Sequence, residues 1–470
     1  MTYGDGKPGG GRGRLDLVNG PILSTTVLLA FPVVISHLLN LALGIADVTM
    51  VGKLGTHAQT ALVLSQSVIM LLNAIAMGTG FATITYVSQH TGAGNHHLAR
   101  RSASHALMLS VMLGLAVAVV SVYVLPPLVS FLNSEQVVTD KALGYSGLML
   151  TYAAFFFLLY MSISIMQGLG DTVTPLIIML FINGVNILLN YILIFGKFGF
   201  PEMGVMGAAT GSIVARAVGT IIIFIFLISG KYRMTLRFRD FEPRPIEFWN
   251  LLRLGVPNSL QSLMRNANVM ILYRILSHTV TPVVAQDSLG VGFQSEGLAF
   301  VPLIALMIST GAMVGQNLGA RQPERAEQAT LTSLKIALGL MFFACIAFLI
   351  VPERIIDFFS DDPMVIRSAS LYLRINAVIQ IFQSGFVLIG CLRGAGDSMS
   401  PLYAHLGCQW LLRLPLAYLL AIPLGMQEKG VWIAMAVSSA IENMFYFWLF
   451  RRGKWKSLRL TDDRLEGKDE

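Results

Sequence analysis

Stretches that would be apolar on every face of a helix recur along this chain, at 71–82, 107–125, 176–195, 221–228 and 336–351. A helix in a soluble domain keeps one wet face and so mixes polar with apolar residues. These blocks have no such face. A helix that crosses a bilayer needs roughly 20 apolar residues. The composition agrees, because 54% of the 470 residues are hydrophobic and only 13% charged. The expected fold class is all-α integral membrane, with twelve transmembrane helices at 22–50, 60–88, 103–130, 143–167, 175–196, 204–229, 254–278, 287–314, 330–351, 368–391, 401–423 and 430–450. These spans leave short loops and no separate soluble domain. The first apolar block is too long for the core of a signal peptide and holds Pro32 and His37, so it reads as a retained helix.

The formal net charge of +7 sits in alternate loops. Arg100 and Arg101, then Lys231 to Arg244, then Arg321 and Arg325, then Arg451 to Arg459 carry most of it. The intervening loops hold only Lys53, Lys141, Lys197, Arg354, Arg367 and Lys429. This alternation follows the positive-inside rule and places both termini in the cytoplasm. The basic excess is a topology signal, and no nucleic-acid partner is expected. Cys345, Cys391 and Cys408 lie in or beside apolar blocks without metal-ligand spacing, which suits packing.

The second half repeats the first. Gly168-Leu-Gly-Asp-Thr-Val-Thr-Pro-Leu176 returns 226 residues later as Gly394-Ala-Gly-Asp-Ser-Met-Ser-Pro-Leu402. Val87-Ser-Gln-His-Thr-Gly-Ala93 returns 227 later as Val314-Gly-Gln-Asn-Leu-Gly-Ala320, and Pro32 pairs with Pro257. Six spans separate each pair, so both halves insert the same way. They are parallel repeats about an axis along the membrane normal, with the transport site expected between them. The expected division is a cytoplasmic segment 1–20, a first bundle 21–230, a linker 231–248, a second bundle 249–452 and a cytoplasmic tail 453–470.

These motifs resemble those of the multidrug and toxic compound extrusion (MATE) transporters, closer to their prokaryotic DinF-like branch. The resemblance rests on Ala46-Asp-Val-Thr-Met-Val-Gly-Lys-Leu-Gly55, the two Gly-x-Gly-Asp-[Thr/Ser]-x-[Thr/Ser]-Pro loops, the Gln-x-x-Gly-Ala loops and Asn186-Ile-Leu-Leu-Asn190. It covers roughly residues 20 to 450. It implies two six-helix bundles in a V around a central cleft, and multidrug efflux of amphipathic or cationic organic compounds against inward proton or sodium flow. It further implies an inner-membrane monomer among lipids, with a small organic substrate, no cofactor and no catalytic activity.

Asp47 is the leading candidate for the coupling ion, because a carboxylate within a span costs a few kcal/mol unless it is used or paired. A sodium ion at the Asp47 site is the alternative to a proton. Asn183, Asn186 and Asn190 share one face of span 5. Their counterparts, taken at constant offset, are apolar: Leu412 and Leu416 for the last two, and Leu272 for Asp47. Packing common to both halves therefore does not require these groups. Related proton-type sites pair the aspartate with Asn-x-x-x-Asp on span 5. Asn190 replaces the second acid here, which makes Asp47 the main titratable group. Tyr145 and Thr210 fall where the resemblance implies neighbouring site residues. The family's other variant binds sodium through acids on spans 7 and 10, but span 7 has Arg265 and span 10 has no acid. Glu296, Arg265 and Gln261 are the candidate cleft residues, and Arg265 would be a fixed counter-charge.

Pro32 is the expected hinge of span 1, since proline cannot donate to the helical ladder. Asp171 and Asp397 follow Gly-x-Gly and suit helix capping. Arg216 and Glu442 occupy equivalent positions and are expected to find partners inside protein. Two other readings remain. A flippase for lipid-linked saccharides would need an arginine-rich cleft from Arg216, Arg265, Arg274 and Arg413. A membrane-embedded enzyme would need facing catalytic side chains, and no such set is recognisable.

Overall fold

The computed structural model describes residues 15–132, 135–229, 234–458 and 460. Residues 1–14, 133–134, 230–233, 459 and 461–470 lie outside the described residues, and with them parts of the expected N-terminal segment, linker and tail. Among the described residues the regular structure is entirely helical. The first half runs α1 (Ile22–Gly52), α2 (Thr56–Gly92), α3 (His96–Leu132), α4 (Gln136–Thr151), α5 (Ala153–Gly168), α6 (Val173–Phe195) and α7 (Val205–Ile228). The second runs α8 (Pro245–Leu276), α9 (Pro282–Gly319), α10 (Pro323–Ile350), a short α11 (Pro352–Asp357), α12 (Pro363–Gln383) and α13 (Phe386–Ala395). It closes with α14 (Met399–His405), a π-helical stretch Leu406–Arg413, α15 (Leu414–Ala421) and α16 (Glu428–Arg451).

Nine helical stretches among the described residues are long and apolar enough to cross a membrane, and α4 with α5, bent by 53°, make a tenth. The remaining two fall short for local reasons. The α8 helix is diluted by Asn258, Gln261, Arg265, Asn266 and Asn268, and the eleventh span is divided by its π-helical stretch. Together these make the twelve spans of an all-α membrane protein. The two Gly-Asp loops terminate and restart helices as expected. Asp171 Oδ1 accepts from the backbone N–H groups of Val173 and Thr174, and Asp397 Oδ1 accepts from that of Ser400. All three cysteines are free and buried.

The halves meet along α2 and α9. Residues 78–90 of α2 and 305–319 of α9 are buried without interruption. Glycines permit the approach: a Cβ on Gly92 would stand 1.9 Å from Gln316 O, and one on Gly319 would stand 2.0 Å from Gln89 O. The two repeat motifs then bond across the seam in matching fashion. Gln89 Nε2 donates to Gly394 O at 3.0 Å, and Gln316 Nε2 donates to Gly168 O at 2.9 Å.

Each half also lends its leading helix to the other. The α1 helix packs on α6 of its own half but also on α9 and α10, and α8 packs chiefly on α2. At its start, Thr26 Oγ1 touches Met313 Sδ at 3.4 Å. Just before it, Leu17 O accepts from Asn317 Nδ2 at 3.1 Å and Gly20 O accepts from Arg325. The far end of α1, where Asp47 sits, lies against α6. Pro32 falls between these two attachments.

Candidate functional site

Two polar centres interrupt the apolar interior. The first lies near the end of α1. Asn190 Nδ2 donates to Asp47 Oδ1 at 2.7 Å and to Asn186 Oδ1 at 3.0 Å, while Asn186 Nδ2 donates to Ser212 Oγ at 3.0 Å. Helical spacing explains the chain, since positions four apart on α6 project from one face. Asp47 is the one acid on α1, α6 or α7 among the described residues. Asn190 is fully buried and its Oδ1 has no protein partner. An orphaned buried acceptor costs about 1–3 kcal/mol.

Tyr145 is buried in the same apolar cluster as Val51 and Ile194, within electrostatic reach of Asp47. Thr210 is not drawn into the network; its hydroxyl returns to Met206 O on its own helix at 2.9 Å. Ser212 takes the place on α7 that sequence reasoning gave to Thr210. Arg216, four residues after Ser212 on the same face, lies over the Phe156 ring at 5.2 Å and within electrostatic reach of Asp47. It is packed inside protein, as its place in an apolar helix requires. Room for Asn190 depends on Gly211, where a Cβ would stand 2.3 Å from Asn190 Oδ1. Gly211→Ala is therefore expected to displace the amide from Asp47 and cut efflux several-fold at equal membrane expression. Unchanged efflux in cells carrying that variant would argue against a working role for the Asp47–Asn190 contact.

The second centre is a cavity of about 890 Å³, walled mainly by the second half and closed on one side by Ser67, Val68, Met70, Leu71 and Leu128. Glu296, Arg265 and Gln261 all line it. Glu296 Oε2 accepts from Tyr372 Oη at 2.8 Å and Oε1 from Gln380 Nε2 at 2.9 Å. Glu442 is buried; its Oε1 accepts from His405 Nδ1 at 3.0 Å and Tyr446 Oη at 2.6 Å, and its Oε2 from Gln409. Gln261 Oε1 accepts from Arg393 Nη2 at 2.6 Å.

This cluster gives the second half polar groups of its own, at positions other than Leu272, Leu412 and Leu416. The π-helical turn at Leu406–Arg413 changes the helical register, and it brings Gln409 and Arg413 to the cavity wall. His405, Gln409, Tyr372 and Tyr446 were missed, although the buried Glu442 on an apolar helix was a signal that such partners existed. Spans 7 and 10 supply no acid; the cavity's carboxylates come from α9 and α16.

A repeated fold with these motifs can be compared with known proteins. The MatE family model matches residues 32–192 and 257–419, one segment in each repeat. The chain belongs to the MatE family. This MatE protein is a multi-pass membrane transporter. It is 27% identical over 448 residues to a probable multidrug resistance protein NorM of Thermotoga maritima, covering 94% of this chain and 95% of that one. It is 28% identical to an FAD transporter of Shewanella oneidensis, covering 93% and 96%. Its fold matches the solved structure of a MOP superfamily transporter from Pyrococcus furiosus with a TM-score of 0.86, at 22% identity over 94% of this chain and 98% of that one.

Proposed function

We propose that this MatE transporter is a secondary active antiporter that exports small amphipathic organic compounds in exchange for an inward-moving proton or sodium ion, taken up at Asp47. The observation that carries the reading is the buried chain from Asp47 through Asn190 and Asn186 to Ser212. A carboxylate beside a fixed neutral donor and a free carbonyl oxygen has what an ion needs: a site of variable charge and an unclaimed acceptor. The multidrug resistance name of the Thermotoga relative supports the substrate breadth, and methionine-bearing walls repack around varied ligands. No cofactor enters this scheme, and the chain acts as a monomer in the inner membrane.

Both termini lie in the cytoplasm in this proposal, because the basic loops alternate as the positive-inside rule requires. The sealed end of the α2–α9 seam carries two of those basic loops, so the cavity opens away from the cytoplasm. Its two lining arginines, Arg265 and Arg413, are matched by two glutamates, and that balance gives the flippase reading no support. The test is transport in proteoliposomes with a pH gradient or a sodium gradient imposed one at a time. One of the two is expected to drive movement of a fluorescent probe; movement indifferent to both would overturn antiport.

Coupling between the two centres runs through α1 in this scheme. Asp47 lies 15 residues beyond Pro32, about 22 Å along the helix axis. A bend at Pro32 would change how the Asp47 end sits on α6 while the other end stays on α9. Pro32→Ala, which restores a donor to the ladder, is expected to slow gradient-driven efflux several-fold while leaving probe binding intact. Wild-type rates in this variant would remove Pro32 from the mechanism.

A further inference from the structure

The charged groups around the cavity differ in how fully they are occupied. Both oxygens of Glu296 accept a hydrogen bond, and so do both of Glu442. Arg413 is spent on α16: its Nε donates to Ser438 Oγ at 2.7 Å, and its Nη2 donates to Ser439 Oγ at 2.7 Å. Arg265 is the exception. It lies midway along α8, is exposed on the cavity wall, and makes no hydrogen bond or ion pair among the described residues. Glu442 is within its electrostatic reach, but the carboxylate's oxygens are already taken by His405, Tyr446 and Gln409.

A guanidinium presents five donors in a planar fork and matches a carboxylate, sulfonate or phosphate with two parallel bonds. The rest of the cavity suits an apolar body. Phe300 and Phe386 meet edge to face with ring centroids 5.8 Å apart, and Phe293 packs in the same way on Tyr372. Met70 and Leu71 face them from the first half. A cation entering here would meet the unpaired guanidinium of Arg265, while Glu296 and Glu442 already accept hydrogen bonds on both oxygens.

We infer that the cavity selects amphipathic organic acids, with the acidic group held by Arg265 and the apolar body seated among Phe293, Phe300 and Phe386. This names the substrate class for the efflux reading above, on which it rests, and replaces the cationic class that the family resemblance implies.

A matched pair of probes tests it. Dansylglycine and dansylcadaverine share a fluorophore and differ in carrying a carboxylate or an ammonium. Titrated into the purified full-length protein in detergent, dansylglycine is expected to bind about 10-fold more tightly, the worth of one charge-assisted pair. Arg265→Gln is expected to erase that preference by weakening dansylglycine alone, and Arg265→Lys to restore part of it. Retained dansylcadaverine binding in Arg265→Gln shows that the variant is folded. A wild-type preference for dansylcadaverine overturns the inference, as does dansylglycine affinity that Arg265→Gln leaves unchanged. Failure of the efflux reading looks different: it shows as transport indifferent to both gradients, whatever the probes' affinities.

Discussion

Asp47→Asn is expected to abolish gradient-driven transport while leaving the protein inserted and its cavity able to bind probe. Asparagine keeps the shape of aspartate, so the packing of α1 on α6 survives. What it removes is the change of charge. A charge at membrane depth is worth about 2.5–3.5 kcal/mol on insertion scales. That is roughly a 100-fold shift in a two-state population. A ligand drives a conformational equilibrium only by its differential affinity for the two states, and a side chain fixed as neutral offers the ion nothing to distinguish them. Proteoliposomes holding the variant should release probe at the rate of empty vesicles under either gradient, while equilibrium binding in detergent matches the wild type. Gradient-driven rates equal to those of the wild type would move the ion site to Glu296 or Glu442.

The second large effect belongs to the sealed end. Gly92 and Gly319 each face a backbone carbonyl, Gln316 O and Gln89 O, which cannot swing aside as the tip of a side chain can. Adding a methyl group at either position must push the halves apart, at the 1–3 kcal/mol or so typical of overpacking. The glutamine bonds to Gly394 O and Gly168 O lie in the same seam and would lengthen with it. Gly319→Ala is expected to raise maleimide labelling of a reporter Ser88→Cys at least about 10-fold, in a background without the three native cysteines. Ser88 is fully buried in the seam. Labelling as slow as in the parent background would show that the seam is not what closes this end.

Most of the fold was legible because membrane spans announce themselves in any long apolar block, and because the halves carry the same words in the same order. The repeated Gln-x-x-Gly-Ala and Gly-Asp loops proved to be the surfaces on which the halves bond. The first polar centre was legible for a local reason: Asp47 stands alone on an apolar helix, and Asn186 and Asn190 stand one turn apart. The second was not. Its members come from α8, α9, α12, α14, α16 and the π-helical stretch, and no spacing in a linear sequence links Glu296 to Gln380 or Glu442 to His405. A π-helical turn leaves no reliable mark in composition, so the place of Gln409 and Arg413 on the cavity wall could not be read from regular helical spacing. Thr210 and Ser212 differ by two positions on α7, a step that moves a residue to another face of the helix.

The exchange of leading helices between the halves limits how this molecule can move. With α1 fastened to α6 at one end and to α9 and α10 at the other, the halves cannot rock as two independent solids. A rotation large enough to unseal the α2–α9 seam would strip α1 from one of its two footings unless the helix itself flexes. By the repeat, α8 is under the same constraint, and it carries Pro257 where α1 carries Pro32. In the proposed exchange cycle the two helices would act as paired springs across the seam, loaded together by any opening and unloaded together by any closing.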